Sequence, residues 1–428
     1  MTYEQKIDDD LILRTLRDEA DRQAFVAFNA RFNNPGEGAT CDCLLHHHPS
    51  MTLDDFWVVE AAGSGEIVST SCLIPWTVRF AGVELLVAQL EMVLTHPAYR
   101  GRGLVRTQMK NFERTVQARG FDLSIIWGIP FYYRQYGYAY TIEGETVESL
   151  PAWKIPSFGV ENMPVVHLRP AQAADISTLA ALYQRAYADQ TLAAVRDEAY
   201  WHYLLDAAHH PIELLVNSQN GEPLGYVVLA GSGKTVSIRE NSLCGAAESM
   251  ALLQLLKNQG VEQVQIAWPG SLPLAVLARQ LGSQCVPGGQ WLLRVPDMLA
   301  FLNRMRPVFE QRLADSAWAG LSHTLTINLF REAFSLCFEQ GRLVQISALG
   351  FVDYSMGANG GDLCIPSEAF LRLLSGYRAL DELFDAWPDI MVKAHARSMI
   401  AALFPRTQPF LYTPYHNMLA RQDVVENP

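Results

Sequence analysis

The spacing of apolar residues divides this chain into strands and amphipathic helices that alternate through its first two thirds. An apolar run ends at Thr95, a helical pattern begins at Leu104, and residues 122–127 (DLSIIW) have the composition of a buried strand. The same order recurs later, with a strand pattern at 235–239 and a helical pattern at 246–258. Alternation of strands and helices predicts an α/β fold for this part of the chain.

The last third of the chain has a different order of elements. Three strand patterns are followed by two helical patterns, at residues 321–328, 334–339 and 343–348, and then at 367–374 and 380–386. Gln340 and Gly341 separate the second and third strands as a hairpin turn, and a longer helical pattern at 298–313 precedes them. Several strands followed by helices predict an α+β layer.

Two segments of the chain echo each other. Each has a Leu-Arg pair in a short strand, then an aspartate, then an arginine in an amphipathic helix. The residues are Leu13, Arg14, Asp21 and Arg31 in the first segment, and Leu168, Arg169, Asp175 and Arg185 in the second. The spacing from aspartate to arginine is the same in both, which predicts two copies of one α/β domain.

Composition places the chain among globular proteins, because 49% of its 428 residues are hydrophobic and 18% are charged. This length predicts two or three domains. The chain has no apolar run long enough to cross a bilayer and its N-terminus, TYEQKIDDD, lacks a secretory pattern, so we expect no membrane partner. Seven scattered cysteines favour a reducing cytoplasm over a disulfide framework. The net charge of −12 disfavours nucleic acid as a partner and is compatible with cationic substrates such as amines.

The sequence Arg100-Gly101-Arg102-Gly103 lies between the apolar run and the helical pattern. Glycines let the backbone approach a ligand closely, and the first amides of a helix are unpaired donors at the positive end of its dipole. Two arginines add charges whose forked geometry suits phosphate oxygens. The turn contains neither GxxxxGK[ST] nor GxGxxG. What remains, Arg-x-x-Gly-x-(small or apolar) after a strand, predicts a cradle for a phosphate-rich ligand, and a plain βα turn with surface arginines is the alternative.

A second motif follows the strand pattern at 122–127. Tyr133, Gly137 and Tyr138 form a Tyr-x-x-x-Gly-(Phe/Tyr) run. A phenol with a pKa near 10 is protonated at neutral pH and can donate its proton. The alternative is an aromatic cluster that packs a loop, which is the role we expect for Tyr132 and Tyr136.

In this order the two motifs resemble those of the GCN5-related N-acetyltransferases (GNAT), whose turn holds the pyrophosphate of acetyl-CoA. The whole arrangement resembles the enhanced intracellular survival (Eis) acetyltransferase family, which has two GNAT domains, the second degenerate, and then an α+β domain similar to sterol carrier protein. That family acetylates amines on aminoglycosides and sometimes lysine side chains, and it assembles as homo-hexamers. The resemblance implies an α/β plus α+β fold with domains at 1–155, 156–296 and 297–428.

The resemblance also implies roles for individual residues. The strand that pairs with the pantetheine arm of the co-substrate has Val93, Leu94 and Thr95 at the matching positions. The pyrophosphate loop has Arg100, Gly101, Arg102, Gly103, Leu104, Val105 and Arg106, and the cofactor passes Gly128 and Ile129. Tyr133 corresponds to the general acid that protonates the departing thiolate of coenzyme A.

The second copy has no matching turn. Its strand pattern at 235–239 runs into Glu240 and then into a helix without an arginine pair or a Gly-x-Gly. A glutamate at this place repels a pyrophosphate. We therefore expect the second copy to be structural and not to bind the cofactor.

The sequence offers two candidates for the proton acceptor, the C-terminal carboxylate and Glu91. Eis-like enzymes use their C-terminal carboxylate, reached by an aromatic tail, but the tail here is polar and ends at Pro428 without an aromatic residue. Glu91 lies on the apolar strand, and alternation with a period of two places it on one face with Val93 and Thr95. Its apolar neighbours partly desolvate it, which raises the pKa of a carboxyl group towards a range useful for a base. A surface or ion-paired glutamate is the alternative.

The histidines do not form a metal-binding pattern. His46, His47 and His48 are adjacent, so their side chains diverge, and paired spacings such as CxxC are missing. We expect no metal site, and we expect residues 33–48 and 76–80 to be loops that border the acceptor pocket. Three further histidines are expected to be structural: His323, His395 and His416.

The predicted function is acetyl-CoA-dependent acetylation of a primary amine on a small cationic or aminoglycoside-like molecule, by direct transfer. Two alternatives stay open, an acyl-CoA or apolar-ligand binding protein without catalysis and a protein lysine acetyltransferase. The resemblance further implies a homo-oligomer, and the sequence does not name the acceptor.

Overall fold

The computed structural model describes residues 3–144, 146–157, 163–207, 210–231, 233–267, 269–355 and 360–411. The strands in these ranges are β1 (Glu4–Lys6), β2 (Leu11–Thr15), β3 (Phe56–Ala61), β4 (Ile67–Phe80), β5 (Val83–Thr95), β6 (Leu123–Ile126), β7 (Ala139–Glu143), β8 (Val147–Pro151), β9 (Val166–Pro170), β10 (Leu192–Ala194), β11 (Ile212–Asn217), β12 (Pro223–Ala230), β13 (Thr235–Asn241), β14 (Gln263–Ala267), β15 (Gln284–Val286), β16 (Gln290–Arg294), β17 (His323–Asn328), β18 (Ala333–Glu339), β19 (Arg342–Gly350), β20 (Leu363–Cys364) and β21 (Met391–Val392).

The helices in the same ranges are α1 (Glu19–Phe32), α2 (Pro35–His47), α3 (Leu104–Ala118), α4 (Ile176–Tyr187), α5 (Glu198–Asp206), α6 (Ala246–Asn258), α7 (Pro273–Gln280), α8 (Met298–Arg304), α9 (Arg306–Ala314), α10 (Ser367–Leu374), α11 (Leu380–Ala386) and α12 (Arg397–Leu403). None of these helices combines the length and the apolarity needed to span a bilayer.

Three mixed sheets organise these elements. The first has the order β1-β2-β3-β4-β5-β6-β16-β7, with β10 alongside β4. The second has the order β15-β8-β14-β13-β12-β11-β9, and the third has the order β19-β18-β17-β20-β21. The α/β class predicted for the first two thirds and the α+β class of the last third are both present.

The first two sheets exchange strands with each other. The order β2-β3-β4-β5-β6 of the first sheet corresponds to the order β9-β11-β12-β13-β14 of the second. In both orders the last two strands are parallel, as the pairs β5–β6 and β13–β14. The strand inserted before the last one comes from the other copy in each case: β16 lies between β6 and β7, and β8 lies between β14 and β15. The first two sheets therefore cross the predicted domain limit at 155. Pairing across that limit is a long-range contact that local patterns do not encode.

The sequence echo corresponds to one repeated ion pair. Arg14 donates to both carboxylate oxygens of Asp21, at 2.7 and 2.9 Å, and so ties β2 to the start of α1. Arg169 donates to both oxygens of Asp175, at 2.8 and 2.7 Å, and ties β9 to the start of α4. Bidentate pairs of this kind fix orientation as well as distance, which explains why the same residue types recur at nearly the same spacing.

The first sheet is covered on both faces. Phe56 and Val58 of β3 pack with α1 and α2, whereas the intervening Trp57 and Val59 pack with α3. The layer with α1 and α2 continues into α4 and α5 of the second copy. At its far end the first sheet shares a core with the third sheet and its helices, so burial of apolar surface joins the three parts.

Most predicted elements of the last third are close to the observed ones. Gln340 and Gly341 have φ values of 49° and 81°, as a two-residue hairpin turn between β18 and β19 requires. The single helix predicted at 298–313 is wrong, because two helices meet at Met305. Pro307 in the first turn of α9 has no N–H to continue the hydrogen bonds of α8.

Candidate active site

The predicted cradle forms where β5 leads into α3. After β5 the chain makes a short 3₁₀ turn, Pro97–Tyr99, and then Gly101 and Gly103 adopt φ values of 79° and 76°. These left-handed conformations favour glycine. A Cβ atom on either glycine meets nothing within 4 Å, and no side chain caps the first amides of α3. The helix start therefore presents open N–H groups beside a space that an anion can enter.

A cavity of about 490 Å³ lies at this helix start. Its volume is in the usual range for small-molecule sites. The residues proposed from the sequence that line it are Val93, Leu94, Thr95, Arg100, Gly101, Gly103, Leu104, Val105, Arg106, Ile129 and Tyr133. The fold thus brings the end of β5, the glycine turn, the start of α3 and the Tyr133 segment to one place.

Two of the residues expected at the cofactor have other contacts. Arg102 donates to a carboxylate oxygen of Asp8 at 2.9 Å, so its charge is already paired. Gly128 lies under the ring of Tyr133, and a Cβ atom there comes within 2.1 Å of the Tyr133 Cδ2 atom. Gly128 therefore makes room for the Tyr133 ring.

The last residues of β5 do not pair with β6, and a bulge in β5 accounts for this. The parallel pairing of β5 with β6 covers only Val87, Ala88 and Gln89, although β5 continues to Thr95. Met92 has a φ of 56° and lies in a bulge, because the register with β4 shifts between Thr70 and Cys72. The bulge bends β5 away from β6, and the opening leaves strand backbone facing the cavity.

The same bulge overturns the predicted alternation of Glu91. Glu91 lies opposite Cys72, whose side chain packs in the layer with α1 and α2. Val93 packs on the other face, in the layer with α3, and Thr95 shares that face because its hydroxyl contacts Ser69 at 2.8 Å. Glu91 is therefore not on one face with Val93 and Thr95, since the extra residue at Met92 shifts the period by one.

Glu91 is a buried carboxylate in a polar setting. It is 8% exposed and accepts a hydrogen bond of 2.8 Å from the Nε2 of Gln89. Gln89 itself is fully buried. A surface glutamate is thus excluded, and the charge of Glu91 reaches the neighbouring Tyr133, whose pKa it raises.

Tyr133 is held as a neutral phenol. It lies in the short 3₁₀ helix Tyr132–Tyr136 and is 5% exposed. Burial, followed by the charge of Glu91, raises the pKa of Tyr133 well above its ordinary value near 10. The hydroxyl therefore keeps its proton throughout the neutral range and can act as a donor.

Four further residues line the cavity: Tyr99, Tyr132, Gln135 and Tyr136. Tyr132 and Tyr136 were interpreted only as packing residues, and they do pack against the core that contains α3. Burial raises the pKa of Tyr132 to about 12. The spacing Tyr132, Gln135, Tyr136 on a single helical turn is the signal that could have indicated a lining role.

The second copy has a different helix start. Gly245 precedes α6, but the Glu248 carboxylate lies against it, since a Cβ atom on Gly245 comes within 1.9 Å of a Glu248 carboxylate oxygen. Glu240 is buried and forms a bidentate pair with Arg196 at 2.7 Å. A carboxylate therefore occupies the place where the first copy is open and positively charged.

The regions predicted as loops around the acceptor are regular structure. Residues 33–48 contain α2, and residues 76–80 belong to β4. His46 and His47 lie in the last turn of α2, and His48 is 7% exposed. These loop assignments were wrong because the Gly and Asn residues at 33–38 cap and begin a helix instead of breaking one.

The C-terminal segment reaches the first sheet. Phe410 pairs with Glu143 at the end of β7, and the Trp291 indole donates to the carbonyl of Leu411 at 3.1 Å. The tail that ends at Pro428, including His416, lies outside the described residues.

Comparisons with known proteins agree with this geometry. Residues 13–141 match the family model described as acetyltransferase (GNAT) domain. Comparison with curated proteins by sequence gives no match. The fold is similar to a probable N-acyltransferase from Enterococcus faecalis V583, with a TM-score of 0.67 and 17% identity over 94% of this chain and 97% of that one.

Two further solved structures share the arrangement. A GCN5-related N-acetyltransferase from Kribbella flavida has a TM-score of 0.67 and 16% identity, over 94% of this chain and 97% of that one. Eis1 from Mycobacterium abscessus has a TM-score of 0.63 and 16% identity, over 94% and 98%. At these identities the likeness establishes the fold. Residues 13–141 thus match a GNAT acetyltransferase domain, the whole fold is similar to that of Eis1, and acyl transfer is the chemistry that the matched domain supports.

Proposed function

We propose that this protein transfers an acetyl group from acetyl-CoA to a primary amine, most favourably on a small cationic or aminoglycoside-like molecule. The observation that carries the proposal is the single cavity that joins an open glycine turn, the bulged end of β5 and the buried Tyr133. A phosphate-rich thioester needs all three: an anion site, a strand edge and a proton donor.

The cavity residues fit the co-substrate on chemical grounds. The open amides at the start of α3, with Arg100 and Arg106 beside them, suit the pyrophosphate. The free edge of β5 at Val93 and Thr95 suits the amide-containing pantetheine arm. A backbone N–H of this edge also suits the oxyanion that forms during acyl transfer.

The two proton transfers fall to Glu91 and Tyr133. Glu91 takes a proton from the ammonium group of the acceptor, through water where its burial requires it, and the amine then attacks the thioester carbon. As the carbon–sulfur bond breaks, the Tyr133 hydroxyl protonates the leaving thiolate. The nitrogen of the new amide releases its remaining extra proton to water, and Tyr133 regains a proton from water. Because Glu91 and Val93 occupy opposite faces of β5, the proposal has the acceptor and the co-substrate approach this strand from two sides.

Thiol release from acetyl-CoA with a panel of amines tests this proposal. We expect Tyr133→Phe to lower kcat by about 10²-fold or more, because general acid catalysis contributes at least that much. Its calorimetric affinity for acetyl-CoA should stay within about twofold of the parent. Tyr140→Phe is the matched control, because Tyr140 lies on β7 and does not line the cavity. Unchanged turnover in Tyr133→Phe contradicts the acid assignment.

A second substitution tests the base. Glu91→Gln keeps the hydrogen bond from Gln89 but cannot accept a proton, so we expect kcat to fall by about 10²-fold or more, with partial recovery at higher pH as the free amine accumulates. Glu84→Gln, at the other end of the same strand, is the control. A pH profile identical to that of the parent protein contradicts the assignment.

The same assay separates the alternatives. Binding of acetyl-CoA without thiol release for any amine indicates a binding protein, and acetylation confined to lysine side chains of added proteins indicates a lysine acetyltransferase. The apolar cavity where the first sheet meets the C-terminal helices has a volume of about 20 Å³, which holds about one water molecule and does not favour an apolar ligand. We further propose a cytoplasmic homo-oligomer and a sterol-carrier-like last domain, by resemblance.

A further inference from the structure

Three residues of metal-binding types converge in the third sheet. His323 is the first residue of β17, Asp362 directly precedes β20, and His395 follows β21. These strands are neighbours in the order β17-β20-β21. One ligand atom from each of the three residues lies within 4.8 Å of the others. The residues are far apart in sequence, which is why spacing rules for metal motifs do not find them.

The carboxylate of this group is held in place by backbone. Asp362 Oδ2 accepts a hydrogen bond of 2.8 Å from the Thr326 N–H, and the Asp362 N–H donates to the Thr326 carbonyl at 2.8 Å. The other oxygen, Oδ1, lies 3.4 Å from His395 Nε2. That spacing is close to the separation of two ligands around a tetrahedral zinc ion with bonds near 2.1 Å.

The two imidazoles face this carboxylate from different directions. Their ring centroids are 5.8 Å apart and the rings are inclined at 77°. His323 Nε2 is shielded from solvent and has no hydrogen-bond partner among the described residues. The His395 side chain is 58% exposed, so one side of the group is open to water.

A lysine beside these three residues competes with a metal ion for the Asp362 carboxylate. Lys393 Nζ lies 3.1 Å from Asp362 Oδ1, so an ammonium group balances the carboxylate. A divalent ion must displace this ammonium group, which lowers the net gain on binding. The Lys393 side chain is 29% exposed and can move towards solvent. Lys393 is therefore a competitor of the metal, which predicts moderate affinity.

We propose that His323, Asp362 and His395 bind one divalent ion of the zinc type, with water at the open position. Two imidazoles and one carboxylate suit zinc and cobalt better than calcium or magnesium. The ion joins β17, β20 and β21, of which the last two contain only two residues each. Its role is to brace the third sheet, independently of acyl transfer.

Calorimetric titration of the full chain with Zn²⁺, together with the visible absorption of the Co²⁺ form, tests this site. We expect one ion per chain, loss of at least about tenfold in affinity for His395→Ala and for Asp362→Asn, and tighter binding for Lys393→Met. His395 is exposed, so its variant keeps the test valid if Asp362→Asn fails to fold. The melting temperature of the parent should increase with Zn²⁺, and that of His395→Ala should not.

His46→Ala is the matched control, since His46 Nε2 lies 3.5 Å from Asp42 and 3.9 Å from Glu19 without a second histidine. Its affinity should equal that of the parent. Equal Zn²⁺ binding by the parent and His395→Ala, or loss of binding only in His46→Ala, overturns the proposal. Because the readouts are binding and melting, they stay independent of whether acetyl transfer is observed.

Discussion

Single side chains at this site take their roles from their immediate neighbours. Tyr133 is buried and stays protonated, and Glu91 is buried beside Gln89. Gly128 has the least visible role, because it has no side chain to contribute. Because Gly128 has no Cβ atom, the Tyr133 ring can lie directly against the backbone.

Gly128→Ala should therefore act through Tyr133. The added Cβ atom lies 2.1 Å from Cδ2 and 2.4 Å from Cε2 of the ring, so the ring must move. We expect kcat to fall between about tenfold and 100-fold, because small displacements of a catalytic group have effects of this size. Steady-state kinetics of thiol release measure it. Gly63→Ala is the control, since a Cβ atom there meets nothing within 4 Å. Equal rates in the two variants contradict the positioning role of Gly128.

Whole elements decide where the site opens. The bulge at Met92 separates β5 from β6, and the two left-handed glycines turn the chain so that α3 presents its first amides. In the second copy the corresponding helix start is covered by Glu248. The same arrangement of strands thus gives an open turn in one copy and a covered turn in the other.

The two arginines of the turn should differ in their effect on co-substrate binding. Arg100 lines the cavity, whereas Arg102 is paired with Asp8. A hydrogen bond to a charged group contributes roughly 1.5–3 kcal/mol. We therefore expect Arg100→Ala to weaken acetyl-CoA binding by about tenfold or more, and Arg102→Ala to weaken it by less than about threefold. Calorimetry of the two variants compares them directly, and a larger loss in Arg102→Ala shows that the turn is used differently.

At the scale of the molecule, the two copies are interlocked. Each of the first two sheets contains a strand from the other copy, and α1 and α2 share a core with α4 and α5. His48 lies in this shared layer, where its ring contacts Tyr200 and Tyr203 of α5. Its Nδ1 accepts a hydrogen bond from the Ser50 N–H at 3.2 Å, so the imidazole is neutral.

His48 should make stability depend on pH. Burial lowers the pKa of His48 from 6.5 to about 4. The unfolded chain therefore binds the proton first, so the contribution of His48 is fully present above pH 6.5 and is lost as pH falls towards 4. A shift of this size corresponds to roughly 3 kcal/mol.

Urea unfolding at pH 7, 5.5 and 4.5 measures this effect. We expect His48→Phe to reduce the fall in the free energy of unfolding between pH 7 and 4.5, because it keeps an aromatic ring without a titrating group. His47→Gln, at the exposed neighbouring position, should leave the fall unchanged. If both variants retain the slope of the parent protein, His48 is not its source.

Much of the fold and part of the site could be predicted from local patterns. Helices α6, α10 and α11 begin and end at the predicted residues, because their apolar periodicity is local. The glycine turn and Tyr133 were identified by residue types at short spacing. The orientation of Glu91 could not be predicted, since one bulged residue reverses which face a side chain occupies.

The sequence by itself determined helices α6, α10 and α11, the glycine turn, the phenol at Tyr133 and the repeated Arg-Asp pair, because each depends on residues a few positions apart. The tertiary structure decided the exchange of β8 and β16, the face of Glu91, the space over Gly128 and the convergence of His323, Asp362 and His395. These features depend on strand register and on contacts between distant segments. Such contacts are fixed by how sheets pack and pair, which no local pattern of residues specifies.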